Sequence, residues 1–425
     1  MRPFSLRRLL PVLGCLGLLL LASGWYFRHR AAGPEDWPGW RGPRGDGTST
    51  EKNVPVKWDV PTGEDVAWKT RIPGEGHSSP IVLGQHLFVT SANTDTQERL
   101  LLCLDRDSGG ERWRRTVVTP PPAHKQTEDS FASSTPATDG HHVFVAFLDG
   151  LKVLVAAYDL EGKQQWLVHP GHFTSPYGFS SSPVIFENEV IINGDQDGNG
   201  WIVALSREDG HTLWKIDREN KTYSDCTPLI RQLAGRTQMI LAGSKCVASY
   251  DPRNGQRHWL IDGPADQFVA SMVYNSKHDL LFMSGGAPAH YNLAIKPDGS
   301  GNVTKTHIAW RSTKGASYVP SPISEGDYFV VLNDTGIASC FQAGTGDLCW
   351  QQRVGPHAHS SPVSANGLVY LTTDDGVSTV VKPGPTYQEV AYNALGESTF
   401  SSPAISNGHL FLRGSKHLYC FGPKH

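Results

Sequence analysis

The tripeptide Ser78-Ser79-Pro80, two small residues and a proline ahead of the apolar pair Ile81-Val82, decides the fold because it keeps returning. It recurs as Ser134-Thr135-Pro136, Ser181-Ser182-Pro183, Cys226-Thr227-Pro228, Pro320-Ser321-Pro322, Ser360-Ser361-Pro362 and Ser401-Ser402-Pro403, with a degenerate copy at Ala270-Ser271-Met272. Measured at the third residue, successive copies are 56, 47, 45, 44, 50, 40 and 41 residues apart, the period of propeller blades rather than of separate domains. Eight copies predict eight blades.

A second signal falls between the copies. Asp105 and Trp113, Ser206 and Trp214, Asp251 and Trp259, and Gln342 and Trp350 are each eight residues apart with a glycine between, and Asp159 and Trp166 are seven apart. Each reads as a tight hairpin leading into an outer strand. Runs such as HLFV at His86–Val89, LLLCL at Leu100–Leu104 and HLFL at His409–Leu412, with Asn-Gly or Asp-Gly turns at Asn366, Asn407 and Asp139, complete four short antiparallel strands per repeat. Small residues suit the innermost strands, which converge on a central channel where larger side chains would overpack. The tryptophans suit the wedges between blades, where a flat ring buries much area. The predicted fold is therefore all-β, an eight-bladed propeller of four-stranded blades. The last repeat ends at Leu418–Phe421 without an outer strand, whereas Val66-Ala67-Trp68-Lys69 precedes the first copy without a blade. The N-terminal strand is expected to complete blade eight and so remove an open sheet edge.

LDRDSGGERW at Leu104–Trp113, YDPRNGQRHW at Tyr250–Trp259 and ASCFQAGTGDLCW at Ala338–Trp350 resemble the PQQ-like (pyrroloquinoline-quinone-like) repeat propellers. That family includes quinoprotein alcohol dehydrogenases and the propeller lipoprotein of the outer-membrane barrel assembly machinery. WPGWRGPRGDG at Trp37–Gly47, taken with GHSSPIV at Gly76–Val82, is similar to secreted bacterial members of the group. The resemblance spans roughly residues 37–423 and is specific for fold, not for function. No two cysteines are adjacent in the sequence. The vicinal pair that many quinoprotein alcohol dehydrogenases carry near the quinone is thus missing, and the PQQ-dependent dehydrogenase becomes the alternative reading.

Location follows from the N-terminus. Arg2, Arg7 and Arg8 precede the nearly uncharged stretch Leu9–Phe27, followed by Arg28, His29 and Arg30. This predicts an export signal or a signal-anchor transmembrane helix within residues 1–30. Ala22-Ser23-Gly24 offers a cleavage site, but the length of the apolar run favours an uncleaved anchor through residues 9–27, with the propeller in the periplasm. Cleavage would instead make it secreted. Residues 31–62 then form a cover and linker, and 63–425 the propeller. The 425-residue chain carries a net charge of −3 and no basic run within the propeller, which excludes nucleic acid as a main partner. A monomer is expected.

Six cysteines remain beyond Cys15. Cys340 and Cys349 flank the tight turn of blade six and form the one candidate disulfide, with two buried thiols as the plain alternative. Asp195-Gln196-Asp197-Gly198-Asn199-Gly200 matches the start of a calcium loop, with oxygens from Asp195, Asp197 and Asn199. Ser206 stands where the twelfth place needs glutamate, and the flanks read as strands. A polar hairpin is favoured and calcium is the alternative.

His77 and His359 occupy equivalent positions just before their repeats, and Asp225 is the corresponding residue of blade four. The full set at that position is His77, Ser133, Ser180, Asp225, Val269, Val319, His359 and Phe400. Variation on a uniform scaffold is where specificity can reside, so a ligand or partner surface is expected at this mouth of the channel. It would use His77, His124, Lys125, Phe131, Tyr177, Phe179, Asp225, Tyr318, His359 and Phe400. His124 and Lys125 belong to a proline-stiffened insertion at Thr119–Asp129. No nucleophile, base and acid stand at motif spacing, so no catalytic residue is assigned and neither PQQ nor another cofactor is expected. These readings describe a membrane-anchored, extracytoplasmic propeller that serves as a protein-interaction scaffold for an envelope protein or as a small-ligand-binding module.

Overall fold

The computed structural model describes residues 33, 35–121, 129–175 and 177–424. The anchor expected at residues 9–27 lies outside them. Among the described residues no helix is long and apolar enough to cross a membrane.

Eight antiparallel sheets follow one another around a ring. Blade one comprises Ile81–Leu83, His86–Ala92, Arg99–Asp105 and Glu111–Val118, paired in sequence order from the inside outward. Blades two, three, six and seven repeat that order beginning at Ala137, Val184, Ile323 and Val363. Blade five begins at Val273, and the degenerate copy Ala270-Ser271-Met272 therefore does mark a blade. Blade eight joins Ala404–Ser406, His409–Arg413 and His417–Phe421 to the N-terminal strand Val66–Arg71, with Trp68 opposite Cys420. That pairing closes the ring with chain from both ends.

Each blade is apolar on both faces in its middle strands, as in IVAL of blade three, where Ile202, Val203, Ala204 and Leu205 are all buried. Alternate side chains enter the two neighbouring inter-blade layers. The hairpin signature has a steric cause. A Cβ on Gly109, Gly162, Gly210 or Gly346 would lie 2.5–2.7 Å from the indole of Trp68, Trp113, Trp166 or Trp310, respectively, and each glycine has φ between +69° and +80°. The tryptophan of one blade thus lies flat on the turn glycine of the next. Its indole N–H donates to a backbone carbonyl of the same turn, from Trp68 to Arg106 at 2.8 Å, Trp113 to Leu160 at 2.8 Å and Trp166 to Arg207 at 2.9 Å.

Blade four departs from the scheme. The turn of blade five that should cover Trp259 is lengthened between Ile295 and Ile308, and its Gly301–Asn302 segment pairs in parallel with Trp259 and Leu260 as a fifth strand. Trp259 becomes fully buried, and its indole turns inward to Gln238 Oε1 at 2.8 Å.

The segment ahead of Val66 crosses one face of the ring. Trp37 bridges to Val82 of blade one, the Arg231 guanidinium of blade four holds Asp46 at 2.7 Å, Thr48 bridges to Ser364 of blade seven, and Trp58 stacks on Phe421 of blade eight at 4.4 Å. Arg41 is buried in this crossing and donates to the Asp46 and Pro322 carbonyls at 2.7 and 2.6 Å.

Candidate functional site

The residue before each proline points into the channel. Its hydroxyl accepts the amide N–H of the equivalent residue one blade earlier. Ser79 N donates to Thr135 Oγ1 at 3.0 Å, Thr135 N to Ser182 Oγ at 3.0 Å, and Ser182 N to Thr227 Oγ1 at 3.0 Å. Ser271 N donates to Ser321 Oγ at 2.8 Å, Ser321 N to Ser361 Oγ at 2.9 Å, Ser361 N to Ser402 Oγ at 2.8 Å, and Ser402 N to Ser79 Oγ at 3.0 Å. At the remaining position Ser271 Oγ takes the indole N–H of Trp40 at 3.1 Å. A short hydroxyl is needed because backbones converging on an axis leave amides no strand partner, and a buried unpaired amide costs about 1–3 kcal/mol. The result is a belt around the channel, with Trp40 of the crossing segment among its wall residues.

The same channel forms a pocket of about 550 Å³. All eight belt residues line it, and so do all eight residues two positions earlier, from His77 to Phe400. Trp40, Asp129, Tyr177, Tyr223, His290, Tyr318, Asp334 and His357 complete the wall.

One side of the pocket is built on histidines. The Phe400 ring lies between His77 at 4.7 Å and His359 at 5.0 Å between centroids. His359 is oriented by Asp374, which accepts its backbone N–H at 2.9 Å and faces its Nδ1 at 2.8 Å. The opposite side is acidic and aromatic. Asp225 Oδ2 accepts the Tyr223 hydroxyl at 2.5 Å, and the Tyr177 ring lies 5.6 Å from that of Tyr223. Burial, with the nearby charge of Asp129 acting in the same direction, pushes the Asp225 carboxyl up to about 7. Burial, and next the charge of Asp225, raise the Tyr318 hydroxyl as well. Asp334 is spent on local structure, accepting the Tyr318 and Val319 amides at 2.6 and 2.9 Å.

Of the expected surface residues, His77, Tyr177, Asp225, Tyr318, His359 and Phe400 meet in this pocket. His124 and Lys125 lie outside the described residues. Phe131 and Phe179 are placed elsewhere. Phe131 lies 4.3 Å beneath the Arg99 guanidinium and against the core of blades one and two. Phe179 is buried edge-on to Phe173 at 5.1 Å between blades two and three. Phe179 stands one place before the channel-facing Ser180, whereas Phe131 stands two places before Ser133, as Tyr223 does before Asp225, and is covered by Arg99 instead.

The oxygens of the calcium-like loop meet protein partners. The Asp195 carboxylate faces Arg218 at 2.7 Å with both side chains fully buried, Asp197 Oδ1 accepts the Tyr223 amide at 3.1 Å, and the Asn199 carbonyl accepts Gln196. Among the described residues no three His, Cys, Asp or Glu are grouped to hold a metal ion. Cys340 and Cys349 are both free, with Sγ directed to the Gly384 and Asp347 carbonyls. A bulge places Trp350, not Cys349, opposite Cys340.

Sequence reading missed Trp40 and Tyr223. Tyr223 lies two places before Asp225, so strand alternation could have found it. Nothing local to Trp40 indicates that its segment passes beneath the channel.

The family model for outer membrane protein assembly factor BamB matches residues 96–272 and 301–384. Among solved structures, BamB from Moraxella catarrhalis is 14% identical, with a TM-score of 0.59 over 85% of this chain and 98% of that one. Quinohemoprotein alcohol dehydrogenase from Comamonas testosteroni is 13% identical, with a TM-score of 0.66 over 94% and 82%. A europium-containing methanol dehydrogenase is 12% identical, with a TM-score of 0.58 over 92% and 98%. At such identities the likeness is one of fold. No curated protein sequence matches the chain. With more than half its length matched by that family model and its eight blades in place, the chain belongs to the PQQ-like β-propeller family of BamB.

Proposed function

We propose that this protein is an envelope propeller, held at the membrane through residues 9–27, whose channel mouth binds a small ligand or the tip of a partner's loop. One observation carries the reading: the eight residues at one repeat position, of five different types, line a single pocket of about 550 Å³ above a belt of uniform hydroxyls. Cavities of a few hundred cubic ångströms with aromatic walls and a few convergent polar groups are the usual form of ligand sites. The family's assembly-factor description supports an envelope location and a binding role.

The fold likeness to quinohemoprotein alcohol dehydrogenase raises PQQ as a second reading. PQQ is a tricarboxylate, and the described residues of the pocket do not suit it. They include Asp129, Asp225 and Asp334 but no lysine or arginine, and they hold no metal-binding group of three. Burying three more carboxylates beside these acids is unfavourable. We therefore favour the binding module.

A ligand-library thermal shift on the purified protein tests the proposal, with Ser180→Trp filling the mouth. Compounds that raise the melting temperature of the wild type are expected to lose their effect on this variant. Identical shifts for both proteins would place binding elsewhere. Reduction of a dye by alcohol after addition of PQQ and calcium would restore the dehydrogenase reading.

A further inference from the structure

The rim and the crossing segment lie on opposite faces of the ring. In blade one the inner strand Ile81–Leu83 runs from the side of the rim residue His77 to the turn at Gly84, so rim and turn mark its two ends. The crossing segment is fixed at the turn end. Asp36 Oδ1 accepts the Gly84 amide at 2.7 Å, the Glu35 carbonyl accepts the Ser406 hydroxyl at 2.5 Å, and Glu51 Oε1 accepts the amide of Asn407, in the equivalent turn of blade eight, at 3.0 Å. Trp40 lines both the channel pocket and a cavity of about 150 Å³ between this segment and the inner strands of blades two to four. The indole is therefore a partition, and the pocket it floors is entered from the rim.

The chain is tied to the turn face early. Gly33 N donates to Asp36 Oδ2 at 2.5 Å, and Asp36 is itself buried there. Only residues 28–32 separate Gly33 from Phe27, the last residue of the apolar run, and those six steps reach at most about 21 Å whatever course the chain takes. Setting the rim against a bilayer needs far more. From the inner strand the chain would pass outward across the four strands of a blade and then along the height of a strand such as His86–Ala92, a path of more than about 35 Å.

We propose that the closed turn face is held toward the membrane and that the pocket opens away from it, so that whatever binds enters from the aqueous compartment. This deepens the ligand-binding reading by fixing its side of access, and it rests on the anchor in residues 9–27. The kind of occupant is thereby narrowed. A water-dissolved molecule, or a loop of a partner that stands clear of the bilayer, reaches the ring from His77 to Phe400 directly; a lipid or a hydrophobe dissolved in the bilayer would first have to leave it.

The test places full-length protein in liposomes whose lipids carry a nitroxide quencher on the headgroup, with one fluorophore on an introduced cysteine. Gln85→Cys labels the exposed turn that follows the inner strand of blade one, and Leu151→Cys labels an exposed turn of blade two on the rim side. Cys15→Ser and Cys349→Ser form the background, the other cysteines being buried. The Gln85→Cys label should lose several-fold more of its emission to the lipid quencher than the Leu151→Cys label, while iodide in the water quenches both. Should Gln85→Cys fail to fold, Lys52→Cys, exposed in the crossing segment, takes its place with the same expected loss. Equal loss at the two faces, or greater loss at Leu151→Cys, would overturn the proposal and leave the anchor standing. Protein that does not float with the liposomes would overturn the anchor and this proposal together, with ligand binding at the mouth still decided by the thermal shift.

Discussion

Two rings of residues, only two positions apart just ahead of the same eight inner strands, have opposite characters. The belt is Ser or Thr in every blade, and seven of its eight links run through backbone amides, the eighth hydroxyl taking the Trp40 indole N–H. The rim above it, from His77 to Phe400, carries five residue types over its eight positions: His, Ser, Asp, Val and Phe. Uniformity at the belt follows from a backbone requirement that is identical in each blade. Freedom at the rim follows from the absence of any such requirement, and chemistry can vary there without loss of the ring.

The most severe way to break this contrast is to open the ring. Deleting the chain through Lys69 removes the strand opposite His417–Phe421, so the belt loses its closure between blades eight and one. Loss of cooperative melting and aggregation are expected, whereas deletion through Arg30 should leave the melt unchanged; equal behaviour of the two would refute closure as the source of belt stability.

Trp259→Ala comes next. It empties a fully buried site roofed by the extra Gly301–Asn302 strand and should cost about 3–5 kcal/mol in denaturant unfolding. Trp113→Ala, at a half-buried ring, should cost less, and the reverse order would show that the roof does not pack. In the belt, Ser361→Ala strips the acceptor from the Ser321 amide and should lower stability by about 1–3 kcal/mol; a neutral result would mean that water replaces the hydroxyl and the belt is dispensable.

The smallest stability effect belongs to the rim. His77→Ala combined with His359→Ala changes two residues that face the pocket and should shift the melting temperature by only a few degrees, while weakening any ligand that spans the mouth. A loss as large as that of Ser361→Ala would erase the distinction between the rings.

Much of this was legible in the chain because repetition multiplies weak signals. One Ser-Ser-Pro is uninformative, but eight copies at a propeller period specify eight inner strands, and the stranded Trp68 reveals how they close. The rim was legible for the same reason: aligning the repeats isolates His77, Asp225, His359 and Phe400 as one ring. Phe131 and Phe179 show the limit, because they lie in loops where strand alternation does not hold: Phe131 and Tyr223 occupy the same repeat position, yet of the two Tyr223 lines the channel. Cys340 and Cys349 show another, since a bulge after Cys340 sets Trp350 opposite it.

By itself the sequence determined the fold class, the number of blades, the closing strand and the ring on which specificity can lie, all of which depend on a local pattern repeated many times. Only the tertiary structure decided that Trp40 reaches Ser271 across 231 positions of chain, that Asp195 is paired with Arg218, and that Phe400 lies between His77 and His359. Those outcomes depend on single contacts between distant segments, and a contact made once leaves no period to read.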